Sequence, residues 1–119
     1  MSERPSHDPS AAPAIPGAAL DLIARRFRVL GDERRLRILQ ALLAGEERSV
    51  GELVEICGTT QANVSMHLSQ LRAEGLVEAR RDGARKLYRV VDPTLADLCA
   101  AACKAVEIRV KDDLDRLQS

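Results

Sequence analysis

The chain has 119 residues, 45% of them hydrophobic, which suits one small compact domain and excludes disorder throughout. Its 18 Lys plus Arg residues balance 18 Asp plus Glu, so no global field draws it to nucleic acid or anionic lipid, and any such partner must be met by a local patch. One Tyr, one Phe and no Trp argue against stacking platforms for single strands and against a β-sandwich core, leaving a mostly aliphatic interior. No apolar run approaches the ~20 residues of a membrane span, and Met-Ser-Glu-Arg-Pro lacks the basic-then-apolar order of a signal peptide. A cytoplasmic protein with no membrane contact is expected.

Four of the five prolines (Pro5, Pro9, Pro13, Pro16) fall in residues 1–17 among Ser, Ala and Gly17, a composition that buries too little surface to offset ordering entropy. A flexible tail is expected there, ahead of a domain spanning 18–119. From Leu20, apolar residues recur at Ile23, Phe27 and Leu30, the stripe of an amphipathic helix that stops at Gly31. Asp32 can cap a second helix whose buried face is Leu36, Ile38, Leu39, Leu42 and Leu43, ended by Gly45. Ser49-Val50-Gly51-Glu52 has the order of a capping box and opens a short helix to Cys57. Gly58 supplies a turn tolerant of positive φ, Thr59 or Thr60 a new cap, and Val64, Leu68 and Leu71 the stripe of a fourth helix ending at Gly75. Two helices joined through a glycine turn suggest a helix-turn-helix unit.

Beyond Gly75 the pattern changes to two strand-like runs, Leu76 to Arg81 and Arg85 to Val91, around Asp82-Gly83, a strong hairpin signal. The hairpin carries Arg80, Arg81, Arg85, Lys86 and Arg89 against Asp82 near its tip, a basic patch that the net charge conceals. Asp92-Pro93 reads as cap and first residue of a last helix bearing Leu95, Leu98, Cys99, Ala102, Val106, Ile108 and Val110. The expected fold is mainly α with a small β-hairpin, in winged helix-turn-helix order.

The fourth helix offers Gln61, Asn63, Ser65, Met66, Ser69, Gln70 and Arg72 around its apolar stripe. Gln and Asn can bond an adenine edge in a bidentate manner, Arg can bond guanine, and a helix N-terminus with Thr or Ser hydroxyls can hold a phosphate. A merely solvated helix face uses the same residue types. The adjoining basic hairpin favours nucleic acid, since a wing can clamp the neighbouring backbone.

Val64-Ser65-Met66-His67-Leu68, continuing through Leu71-Arg72-Ala73-Glu74-Gly75-Leu76-Val77, resembles the recognition-helix signature of the ArsR/SmtB repressors. Leu30-Gly31-Asp32, followed by Arg35-Leu36-Arg37-Ile38-Leu39 and Leu42-Leu43, resembles that family's second conserved box, with Glu33 in place of its usual proline. The likeness runs from about Leu20 to Val110. It implies a homodimer formed through the first and last helices, which represses by binding an imperfect palindrome in double-stranded DNA and releases it when an inducer binds, with no cofactor required for DNA binding. It also implies that Thr60 through Gln70 belong in the major groove, Ser65 and His67 falling on the motif, and that Arg81, Arg85 and Lys86 sit in the wing. For His67, packing within the helix bundle is an equal alternative.

The inducer is a separate question. Family members with a metal site at the third helix carry Cys-x-Cys where this chain has Ser49-Val50-Gly51. Those that bind zinc on the last helices use Asp and His; Asp92 matches one ligand, but Thr94 and Ala105 stand where histidines would be, and one carboxylate cannot hold zinc against water. Cys99 and Cys103, four apart, project from one helix face a turn apart and can share a soft ion: two thiolates suit mercury, whereas As(III) or Sb(III) wants a third. Cys57 is the candidate third ligand in the chain, or a small core residue. The alternatives for the pair are packing among Ala100, Ala101 and Ala102, or thiol oxidation and persulfidation; family persulfide sensors pair a cysteine of the second helix with one of the last, and the second helix here has none. With His7 and His67 as the only histidines and no phosphate-cradling loop, an enzyme is excluded. A partner-docking protein of the same fold is the competing reading.

Overall fold

The computed structural model describes residues 14–45 and 47–118. Five helices, α1 (Gly17–Leu30), α2 (Glu33–Leu43), α3 (Val50–Cys57), α4 (Gln61–Ala73) and α5 (Leu95–Gln118), surround a small sheet of β1 (Arg48–Ser49), β2 (Val77–Asp82) and β3 (Arg85–Val90). The expected winged helix-turn-helix order is what the chain adopts. Most of the proline-rich tail, residues 1–13, lies outside the described residues, while Gly17 is already the first residue of α1 rather than part of the tail. Pro16, which cannot continue a helix backwards, lends its carbonyl to Ala19 and Leu20 and so starts this helix.

The capping chemistry reads directly from the sequence. Asp32 accepts from the amides of Arg34 (2.8 Å) and Arg35 (3.3 Å), and Ser49 and Glu52 exchange the reciprocal bonds of a capping box at 3.2 and 2.8 Å. Those amide bonds hold the Asp32 and Glu52 carboxyls below the usual carboxylate range, Arg35 and Ser49 being the respective leading donors. Gly58 ends α3 in the left-handed region, φ 65°, with its amide on the Val54 carbonyl.

The sheet is antiparallel with strand order β1-β3-β2. Asp82 pairs with Arg85, so Gly83 and Ala84 form the two-residue loop, with Gly83 at φ 64° supplying the positive dihedral that the hairpin twist requires. The third strand, β1, was not expected; it pairs Arg48 with Tyr88 and Ser49 with Leu87, and two residues are too few to show a period. The last helix also differs from expectation. Asp92 spends its cap on Thr94, accepting from its amide and hydroxyl, so Pro93 and Thr94 form a turn and α5 begins at Leu95.

The hydrophobic core cluster is aliphatic apart from Tyr88: Leu30, Ile38, Leu39, Leu42, Leu53, Val64, Leu68, Leu71, Leu76, Val77 and Leu95. Each fully buried leucine contributes roughly 1.5–3 kcal/mol relative to exposure. Every helix places a residue in this cluster, and this fixes α4 against α2 and α3 while its other face stays open. By contrast, the stripe of α1 other than Leu30 is exposed, and so is every described residue of α5 beyond Cys99.

Candidate nucleic-acid interface and thiol pair

α4 divides cleanly by its 3.6-residue period. Val64, His67, Leu68 and Leu71 face the core; Gln61, Ser65, Ser69 and Arg72 form an exposed stripe on another face, with Met66 (48% exposed) beside it. Thr60 caps the helix, accepting from the Asn63 amide at 3.2 Å, and the Asn63 side chain donates to the Thr59 hydroxyl at 3.0 Å. Asn63 is therefore half-buried and engaged in shaping the turn. Gln70 is exposed, but its carbonyl oxygen accepts from Arg35 at 2.6 Å.

Of the two alternatives for His67, the structure shows the packed one. At 3% exposure it is a core residue, and its Nδ1 lies 3.4 Å from an Arg35 nitrogen. The spacing carried this signal: His67 stands three after Val64 and four before Leu71, on the buried stripe itself.

The wing's five cations are not equivalent. Arg80 is held bidentately by Glu47, at 2.7 to 3.0 Å, and Arg89 pairs with Glu78 at 3.3 Å. Arg80 holds the Glu47 carboxyl below its ordinary range. Arg85 lies about 4 Å from both Glu52 and Asp82, a loose arrangement in solvent. Arg81 and Lys86, paired across the strands and exposed, have no ion-pair partner among the described residues. The positive charge available to an outside partner is thus Arg81, Lys86 and Arg85.

Cys99 is half-buried against the core, whereas Cys103 is exposed, its thiol 3.7 Å from a Glu107 carboxylate oxygen. Both line an open apolar groove of about 780 Å³ flanked by α2 and α5, with Leu36, Leu43, Val106, Val110 and Leu114. Cys57 does not join them. It borders a different hollow of about 370 Å³ with Ile38, Thr59, Asn63 and His67, and burial pushes its thiol up, away from thiolate. Among the described residues no group of three or more His, Cys, Asp or Glu side chains is arranged to hold a metal ion. The chain therefore presents two thiols at the groove, a donor set that fits a two-coordinate thiophilic cation and lacks the third sulfur that trivalent arsenic asks for. Asp92, which the family resemblance sets against one zinc ligand, is already occupied by Thr94 and by the Arg26 guanidinium.

The sequence model described as "Bacterial regulatory protein, arsR family" matches residues 32–79, from the Asp32 cap into β2. The chain is 47% identical over 94 residues to a probable mercury resistance operon repressor of Streptomyces lividans, spanning 78% of this chain and 74% of that protein. The chain belongs to the ArsR family. The crystal structure of Rv0081 of Mycobacterium tuberculosis superposes on this ArsR-family chain with a TM-score of 0.74 at 36% identity, covering 85% of this chain and 99% of that one. A solution structure from Mycobacterium bovis, described as a homodimeric winged helix-turn-helix DNA-binding domain, gives 0.73 at 35% identity and covers 86% and 94%. This ArsR-family chain is accordingly a DNA-binding transcriptional regulator and not an enzyme. Among the described residues no helix is long and apolar enough to cross a membrane.

Proposed function

We propose that the protein is a homodimeric repressor that inserts α4 into the major groove of an imperfect-palindromic operator and lets go when a thiophilic cation binds Cys99 and Cys103. The observation that carries the DNA part is the stripe Gln61, Ser65, Ser69 and Arg72, with Met66 alongside, exposed on a helix whose Val64, His67, Leu68 and Leu71 are locked in the core. Thr60 and Asn63 set the turn ahead of that stripe, Gln70 is held by Arg35 near the far end of the helix, and Arg81, Arg85 and Lys86 supply the phosphate clamp. Dimerisation through α1 and α5 explains why their apolar residues lie outside the subunit's own core.

The inducer reading rests on two sulfurs at one groove with no third donor gathered beside them. Mercury(II) fits this set best. Arsenite or antimonite would need a thiol from the partner subunit or from solution. When bound, the cation would draw the two thiolates together on the helix that joins the subunits, and a small change in intersubunit angle misplaces two recognition helices that must meet successive grooves.

Fluorescence anisotropy on the chain's own upstream inverted repeat tests both parts. Sequence-preferring binding by a dimer is expected, with release by mercury(II) in the wild type and not in Cys99→Ser or Cys103→Ser. Absence of sequence preference would support the partner-docking reading, and undiminished release in both variants would remove the thiol pair from the mechanism.

A further inference from the structure

Leu20, Ile23 and Phe27 of α1 are 51%, 37% and 57% exposed, and Leu30 is its only buried residue. A helix of 14 residues with so little packing gains little from its own subunit, yet it is tied to three other elements through guanidinium groups. Arg26 pairs with Asp92, just ahead of α5. Arg25 donates to Glu74, the C-cap of α4, at 2.9 Å. From α2, Arg35 donates through Nε to the Val29 carbonyl and through Nη2 to the Arg28 carbonyl, two of the oxygens that the last turn of α1 leaves without helical partners. Through Nη1 the same guanidinium donates to Gln70 of α4 and meets His67 Nδ1.

The ties differ in weight. Arg25 is 54% exposed, and such a pair contributes little. The Arg35 side chain is 14% exposed and spreads its planar fork over α1 and α4, while Asp92 is 10% exposed. We propose that Arg26 and Arg35 are positioning residues that make the C-terminal turns of α1 a lever between α5 and the recognition helix: Arg26 fixes those turns to the start of α5, and Arg35, holding the Arg28 and Val29 carbonyls less than a turn further on, fixes them to Gln70 and His67. A displacement of α5 then reaches α4 through the last turns of α1, which Leu30 anchors in the core. The direct route, from the Val91 amide to the Leu76 carbonyl and thence from the Leu76 amide to Leu71, runs in parallel and contains no group of residue 26 or 35.

Hydrogen–deuterium exchange on the full-length dimer, without DNA or inducer, tests the lever independently of the mercury reading. Arg26→Gln has no bond to α4 to lose, yet amide exchange in the last turn of α4 is expected to quicken on the order of fivefold, with Arg26→Lys restoring it. Arg35→Lys is expected to do the same, and the double variant to be no faster than Arg35→Lys alone, because a lever cut twice is still one cut lever. Unchanged α4 exchange in Arg26→Gln, or strictly additive effects, would overturn the proposal; if Arg35→Lys does not fold, Arg26→Gln and its lysine rescue decide. A second arm rests on the thiol reading: the ratio of operator affinities without and with mercury(II) is expected to fall toward one in Arg26→Gln while the metal still binds by mass. A wild type indifferent to mercury(II) would sink the inducer reading alone, leaving the exchange data to judge the lever.

Discussion

The Asp92 carboxylate accepts from the Thr94 hydroxyl at 2.6 Å and the Thr94 amide at 2.8 Å on one oxygen, while its other oxygen faces the Arg26 guanidinium. Thr94 first and Arg26 second pull the carboxyl down from 3.8 to about 2. A folded pKa below the unfolded one stabilises above the unfolded value, and the gain is lost as pH falls through the folded value. The stability difference between wild type and Asp92→Asn is therefore expected to be full at pH 5 and to shrink between pH 4 and pH 2. Urea unfolding across that range checks it, and carbon NMR of the side chain should show the Asp92 midpoint moving back up in Thr94→Val.

The same residue shows what the sequence could and could not disclose. Capping residues, glycine turns and apolar periods act within a few positions, so Asp32, the Ser49 and Glu52 box, Gly58 and the hairpin were legible, and with them the order of the fold. Asp92 was recognised as a cap, but its partner Thr94 lies inside the turn, which delays α5 by two residues. For His67 the family motif and packing are equal alternatives in the sequence, and its spacing from Val64 and Leu71, on the core stripe, is the signal that favours the packing seen here. Contacts across elements left no such trace: nothing in the chain order pairs Arg80 with Glu47 or sends Arg35 to Gln70. Nor could spacing say that Cys57 borders a different hollow from Cys99 and Cys103.

Gly58 separates the two helices of the reading unit at φ 65°, and a Cβ there would meet nothing within 4 Å. The cost of Gly58→Ala is therefore purely conformational, roughly 1–2 kcal/mol. Chemical denaturation should show a lower midpoint with an unchanged slope. A loss far above that range would mean that the turn is packed rather than open.

Because His67 is buried, with no hydrogen-bond partner for its Nε2 among the described residues, its removal is expected to act on the fold. His67→Ala should lower unfolding stability by on the order of 2 kcal/mol, through the lost burial of the imidazole and its lost contact with Arg35. Operator affinity, measured well below the melting temperature, should keep its wild-type salt dependence. A reduced slope with unchanged stability would place the imidazole on DNA after all.

Salt dependence also separates the cations of the wing. A side chain that neutralises one phosphate contributes about 0.9 to the slope of log K against log salt. Arg81→Ala and Lys86→Ala are expected to reduce the slope by about that amount each and to weaken all sequences alike, whereas Arg80→Ala, whose guanidinium is held by Glu47, should leave it unchanged. Gln61→Ala should do the reverse, preserving the slope while relaxing preference at one base pair by about 1–3 kcal/mol. Anisotropy titrations at several salt concentrations, on operator fragments with single-pair changes, distinguish these outcomes. An equal loss of slope for Arg80→Ala and Arg81→Ala would show that Glu47 releases Arg80 to the phosphate backbone, and that the ion pair seen in the free protein exchanges for DNA on binding.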